Sequence, residues 1–241
     1  MKTSNILGVN IAVTTMDDTI KTIAENLRAW SGKYICVSNV HTTVTAHDDP
    51  DYCRVQNGAV LALPDGGPLS AYSRAHGYAG AERVTGPDLM KEILKQSART
   101  GWTHFFYGAS EETLTKLRAV LAARYPGVRV AGMISPPFRA LTPEEDAEMV
   151  RQINVTSPDF VWVGLGAPKQ ENWMAAHENR VKGLMIGVGA AFDYEAGNIR
   201  RAPAWMQRAS LEWLYRLLQD PVRLFKRYFV TNLRYLWLTK K

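Results

Sequence analysis

Residues Asp159–Gln170 read DFVWVGLGAPKQ. Five residues rich in β-branched and aromatic side chains run into a Gly-Leu-Gly turn and then into polar sequence. The apolar run is too short for a helix. It predicts a buried strand that ends in a tight strand-to-helix turn. The same pattern recurs outward along the chain. Leu184–Val188 (LMIGV) closes on Gly187-Val188-Gly189, Trp102–Tyr107 (WTHFFY) on Gly108-Ala109-Ser110, and Ala59–Leu63 (AVLAL) on Pro64-Asp65-Gly66-Gly67. Lys33–Ser38 (KYICVS) ends at Asn39, Val128–Ala131 (VRVA) is a further strand, and Ile6–Val13 predicts one more. Helix starts lie between them. Thr15 with Asp18 reads as an N-cap with an acidic first turn, Pro87 as a first helical residue, Ser110 before Glu111 and Glu112 as a cap, and Thr142-Pro143-Glu144-Glu145 as a capping box. Strands alternating with helices at this spacing predict an α/β fold, a parallel sheet covered by helices on both faces.

The composition suits that fold. With 241 residues, 46% hydrophobic and 22% charged, the chain predicts one large domain, or a domain with an appendage. It has enough apolar surface to exclude disorder, and a core of this size needs no disulfide or structural metal. The longest apolar run, Gly183–Phe192, is about half of the ~20 residues that cross a bilayer. The first eighteen residues lack a secretory pattern. Cys36 and Cys53 form no CxxC pair and read as reduced thiols of a cytosolic protein. The five histidines show no zinc-binding spacing, and no GxSxG elbow points to a serine hydrolase.

Charge divides the chain in two. Ten of the 29 Lys and Arg residues follow residue 197, with only two of the 23 acids. Eight of the 24 aromatics lie there too, Trp205, Trp213, Phe225, Phe229 and Trp237 among them. We therefore expect an α/β domain over 1–195 and a basic, aromatic-rich helical appendage over 196–241. The appendage predicts one helix from about Pro203 to Gln219 and a second that Asp220-Pro221 opens. The second carries Val222, Phe225, Tyr228, Phe229, Leu233 and Leu236 near helical spacing. Three readings of it stay open: attachment to an anionic membrane surface, structural packing on the body with a basic rim, and nucleic-acid binding.

In open α/β sheets, ligands bind beyond the carboxyl ends of the strands. Asp65 stands at such an end beside a flexible turn, where apolar surroundings would raise its pKa and make it a proton acceptor. Pro-Asp-Gly is equally a plain turn signal. The turns at 108–110 and 164–170 would offer helix N–H groups to a phosphate, although neither matches a GxGxxG or P-loop pattern. Asp48-Asp49-Pro50-Asp51 contains a DxD pattern, but away from a strand end, where capping and turn roles are the simpler reading. Arg83 is an anion-binding candidate or a solvated charge.

Many of these stretches together resemble the WecG/TagA/CpsF family of bacterial glycosyltransferases, glycosyltransferase family 26. They are VSNVHT at 37–42, LPDGG at 63–67, ERVTGPDL at 82–89, FFYGAS at 105–110, VGLGAPKQE at 163–171 and GVGAAFDYEAG at 187–197. RAPAWMQ at 201–207, LEWLYRL at 211–217 and DPVRLFKRY at 220–228 continue the resemblance to near the C-terminus. It implies a Rossmann-like α/β fold with a membrane-associating helical appendage, on the cytoplasmic face of the cell membrane. It implies inverting, metal-independent transfer of a sugar, N-acetylmannosamine or its uronic acid in the best-known members, from a UDP-sugar to a polyprenyl-diphosphate-linked saccharide. By matching position Asp65 is the general base. Asn39 and Arg83 line its pocket, Gln170 meets the sugar, and Arg216, Arg223 and Arg227 meet diphosphate or lipid headgroups. Gly108, Ala109, Gly164, Gly166, Lys169 and Asp193 are assigned to the nucleotide pocket. No cofactor and no nucleic-acid partner is expected, and apolar surface on the appendage gives a route to homo-oligomers in solution. Some relatives carry a hydroxyl residue two positions before the Asn, where this chain has Val37; a different donor, such as UDP-glucose in exopolysaccharide or capsule assembly, is one alternative, and a non-catalytic nucleotide- or RNA-binding module is the rival from another class.

Overall fold

The structure is a computed structural model that describes residues 1–240, the side chains of Arg208, Arg223, Lys226, Arg227 and Tyr228 excepted. The chain opens with a hairpin, β1 (Thr3–Ile6) and β2 (Val9–Ala12), paired antiparallel. The single strand expected over 6–13 is therefore two half-strands. Leu7 (φ 53°) and Gly8 (φ 93°) both take positive φ, which gives the tight turn that matches strand twist. Leucine carries no turn signal, so the sequence does not announce the break.

The remaining elements alternate: α1 (Met16–Asn26), β3 (Tyr34–Ser38), α2 (Val40–Asp48), α3 (Pro50–Gly58), β4 (Leu61–Pro64), α4 (Gly67–Ala75), α5 (Gly86–Thr100), β5 (Thr103–Gly108) and α6 (Glu111–Arg124). They continue with β6 (Arg129–Ile134), α7 (Pro143–Thr156), β7 (Phe160–Gly164), α8 (Lys169–Ala176), β8 (Leu184–Gly187), α9 (Ala191–Glu195), α10 (Ala204–Arg208), α11 (Glu212–Gln219) and α12 (Pro221–Thr239). The caps at Thr15, Ser110 and Thr142 form as predicted. Thr85 caps α5, accepting from the Asp88 N–H, so Pro87 is the second helical residue and not the first.

Strands β3 to β8 form one parallel sheet in the order β4-β3-β8-β7-β5-β6. Successive strand residues feed opposite cores, as the period of two requires. Ile35, Phe106, Trp162 and Ile186 pack with Ile23 of α1, Ile93 of α5, Leu117 of α6 and Phe192 of α9. Cys36, Tyr107, Val163 and Met185 pack with Val44 of α2, Leu69 of α4, Ile153 of α7 and Met174 of α8. Both faces are covered, which is why these strands read as unbroken apolar runs.

The C-terminal segment departs from its expected form in two ways. The helix expected over 203–219 is split into α10 and α11, with Ser210 at φ 59° between them. Ser210 is wedged against Gly67, where a Cβ would fall 1.9 Å from its Oγ. A tertiary contact with the body thus sets the break. In α12, the residues that pack inward are Leu224, Thr231 and Tyr235. The stripe of Val222 (94% exposed), Phe225 (56%), Phe229 (56%), Leu233 and Leu236 faces outward, joined by Trp237 (61%). Tyr235 donates to the Pro68 carbonyl, and Arg234 pairs with Asp48.

Candidate active site

A cavity of about 790 Å³ opens where β3, β4, β5, β7 and β8 end. Residues of the body form its floor, and Ile199, Arg201, Ser210, Glu212, Arg216 and Leu224 of the C-terminal segment close it. The structure brings together Asn39, Asp65, Arg83, Ala109, Gly164, Gly166, Lys169, Gln170, Asp193 and Arg216 on its wall. Gly108 lies behind that wall. At φ 124°, its added Cβ would come within 2.6 Å of the Gly164 carbonyl, so glycine lets β5 and β7 close together here. Arg223 and Arg227 have side chains outside the described set.

Asp65 follows β4 directly. Its N–H donates to the Ser38 carbonyl at 2.8 Å, and its carbonyl accepts from Arg83 Nε at 2.7 Å. The carboxylate itself has no hydrogen-bond donor among the described residues. Burial pushes its pKa up to about 6, opposed by Arg83 and Arg216 and reinforced by Glu212 and Asp88. A carboxylate of this kind is ionised at neutral pH yet basic enough to accept a proton.

Asn39 caps α2. Its Oδ1 accepts from the N–H groups of His41 and Thr42, which leaves the amide nitrogen as the group it can offer a ligand. Gln170 is buried at the start of α8. Its Oε1 accepts from the Gly189 N–H at 3.0 Å, and its Nε2 donates to Glu171 at 2.7 Å. It thereby ties the loop after β8 to α8. Asp193 accepts from Thr113 and Asn198 through Oδ1, so it also anchors the entry to the C-terminal segment. The N-termini of α4 and α8 have no side-chain cap at Gly66 and Pro168, and Lys169 stands exposed at the second. A helix N-terminus with a lysine beside it suits a diphosphate.

The DxD run has other employment. Asp48 pairs with Arg234, Asp49 caps α3, and Asp51 pairs with Arg54. None of the three lines the cavity.

Sequence reasoning missed two groups. One is an ionic lattice in which Glu212 meets Arg83 and Arg201, and Arg201 also holds Asp88. Arg201 and Arg216 both lie over the Tyr194 ring, at 5.8 and 5.5 Å. Its signal was an acid inside a basic tail. The other is the buried chain of hydrogen bonds from Ser38 to Gln56 and on to Tyr52. Nothing in the spacing of those residues marks them.

The profile of the Glycosyl transferase WecG/TagA/CpsF family matches residues 4–241. The chain belongs to that family of glycosyltransferases. A Bacillus subtilis (strain 168) relative is 32% identical over 193 residues, covering 80% of this chain and 73% of its own length. A Staphylococcus aureus (strain MW2) relative is 31% identical over 220 residues, covering 90% and 84%. Both carry the name N-acetylglucosaminyldiphosphoundecaprenol N-acetyl-beta-D-mannosaminyltransferase. In this WecG/TagA/CpsF transferase Asp65, Asn39, Arg83 and Gln170 line one cavity.

Proposed function

We propose that the transferase moves N-acetylmannosamine, or its uronic acid, from a UDP-sugar to a polyprenyl-diphosphate-linked saccharide such as undecaprenyl-diphosphate-GlcNAc, with inversion. The names of its relatives support the acceptor and the sugar. The observation that carries the chemistry is the Asp65 carboxylate, raised in pKa by burial, which shares one cavity with two helix N-termini that lack a side-chain cap and with Arg216.

Asp65 takes the proton from the acceptor hydroxyl. The oxygen attacks the anomeric carbon of the donor as the bond to UDP breaks on the opposite face. Charge then develops on the leaving diphosphate. The starts of α4 and α8, Lys169 and Arg216 line the cavity where that charge would form. This is the reading of transfer without a metal. Gln170 and Asn39 offer the polar contacts for the sugar. Val37, apolar and at the cavity wall, favours as second reading a different hexose donor such as UDP-glucose.

We also place the enzyme at the inner face of the cell membrane as a peripheral protein. No described helix is long and apolar enough to cross a bilayer. The outward stripe of α12 is amphipathic surface of the kind that lies in a headgroup layer. In this reading residues 196–241 are the appendage that brings the cavity to its lipid-linked acceptor. The same stripe would let molecules self-associate when no membrane covers it.

The test is UDP release by the full-length protein on anionic vesicles carrying undecaprenyl-diphosphate-GlcNAc, with a panel of UDP-sugars and EDTA. Turnover with UDP-N-acetylmannosamine that survives EDTA is the expected result. Turnover with UDP-glucose alone would favour the second reading, and loss with EDTA would overturn the metal-independent step.

A further inference from the structure

Glu212 sits in a segment dominated by cations, yet its side chain is only 13% exposed. Its two oxygens face two arginines that come from different parts of the chain. Oε2 accepts from Arg83 Nη2, and Oε1 lies 3.7 Å from Arg201 Nε. Arg83 is occupied at both ends, because its Nε also donates to the Asp65 carbonyl at 2.7 Å. A guanidinium is a rigid plane. Fixing Nη2 on Glu212 therefore fixes the direction in which Nε holds Asp65. The base loop needs such a hold, since Gly66 and Gly67 follow Asp65 immediately. On the far side Arg201 grips both oxygens of Asp88, which anchors the lattice to α5.

A buried carboxylate between two guanidinium groups is a poor device for stability, because desolvation cancels much of the attraction. It is a good device for orientation. We propose that Glu212 is a positioning residue: through Arg83 it holds the Asp65 loop in its working place, and it does so only while the C-terminal segment is docked. The inference rests on the reading of Asp65 given above. It makes the appendage a part of the catalytic alignment as well as a route to the membrane.

The experiment compares wild type, Glu212→Ala and Glu212→Gln as full-length proteins on vesicles with UDP-N-acetylmannosamine and undecaprenyl-diphosphate-GlcNAc. Loss of alignment should lower kcat of Glu212→Ala by about 100-fold. Donor KM should stay within about threefold, because the donor contacts are untouched. Glu212→Gln keeps an oxygen for Arg83 Nη2 and should recover at least about tenfold of the lost kcat. Melting temperature and vesicle cosedimentation are read alongside. Wild-type kcat in Glu212→Ala would overturn the proposal. So would a fall in kcat that tracks lost vesicle binding or lost folding. If the alanine variant does not fold, Glu212→Leu, which fills similar space without an oxygen for Arg83, decides: reduced kcat at unchanged donor KM supports the proposal, and unchanged kcat overturns it. An inactive wild type would overturn the reading of the site and this inference with it, whereas an active wild type beside an equally active variant overturns the inference alone.

Discussion

Arg83 donates to the main-chain carbonyl of Asp65 at 2.7 Å, so this cation is tied to the Asp65 backbone, and among the described residues no group donates to the carboxylate. That arrangement explains how an acid near two arginines keeps a raised pKa. Burial is the largest influence on Asp65 and outweighs Arg83 and Arg216, with Glu212 and Asp88 adding to it.

The first prediction concerns pH. With Asp65 as the proposed base, kcat/KM should fall on the acid side with a midpoint near 6. Stability should run the other way. The folded-state pKa lies above the ordinary carboxylate value, so folding favours the neutral form. That contribution is present in full at acid pH and is lost as pH rises through about 6. Asp65→Asn stays neutral throughout. It should be more stable than wild type above pH 7 by roughly 1–3 kcal/mol, while losing about 10²–10⁴ of kcat. Calorimetry and UDP release at pH 7.5 check both halves.

Gln170 is predicted to matter through Gly189. Removing its side chain leaves the Gly189 N–H without its acceptor and Glu171 without one of its donors. Gln170→Ala should cost roughly 1–3 kcal/mol of stability. Donor KM should rise as the loop after β8 loosens. Denaturant unfolding and donor titration of the initial rate would show it.

Gly67 is the place where the body meets the break between α10 and α11. Gly67→Ala would drive a Cβ into Ser210, with its own Cβ only 2.7 Å away. The C-terminal segment must then shift while the sheet stays intact. Limited proteolysis should cut within residues 198–220 faster than in wild type, and activity should fall with little change in the melting of the body.

The outward face of α12 makes a prediction about membranes. Phe225 and Phe229 stack at 5.5 Å on the exposed stripe. Each buried Phe is worth about 1.5–3 kcal/mol. Replacing both with Ser should weaken cosedimentation with anionic vesicles at least about tenfold, even allowing for incomplete insertion. Activity on a soluble, short-chain acceptor should be spared.

Much of this was legible in the chain. The sheet strands announce themselves because both their faces are covered, which makes Phe160–Val163 and Leu184–Ile186 continuous apolar runs. That Asp65, Asn39 and Gln170 would share a cavity wall was legible because segments following strand ends line the crevice of an open sheet. The hairpin was hidden because Leu7 takes a conformation that leucine seldom adopts. The split between α10 and α11 was hidden because its cause, Gly67, lies more than a hundred residues away. The apolar stripe of α12 was visible, but which side it faces depends on Leu224, Thr231 and Tyr235 finding room against the body. Glu212 illustrates the same limit. Its position inside a basic segment is plain in the sequence, and its bridge to Arg83 across 129 residues is not.

The central claim is that the Asp65 carboxylate is the base for transfer to a lipid-linked acceptor. The most direct measurement follows radiolabelled sugar from UDP-N-acetylmannosamine into undecaprenyl-diphosphate-GlcNAc, for wild type and Asp65→Asn, at pH 7.5 with EDTA present. The account predicts label in the lipid fraction for wild type, and for Asp65→Asn a rate lower by about 10² or more with the fold intact. Equal rates for the two proteins would contradict it.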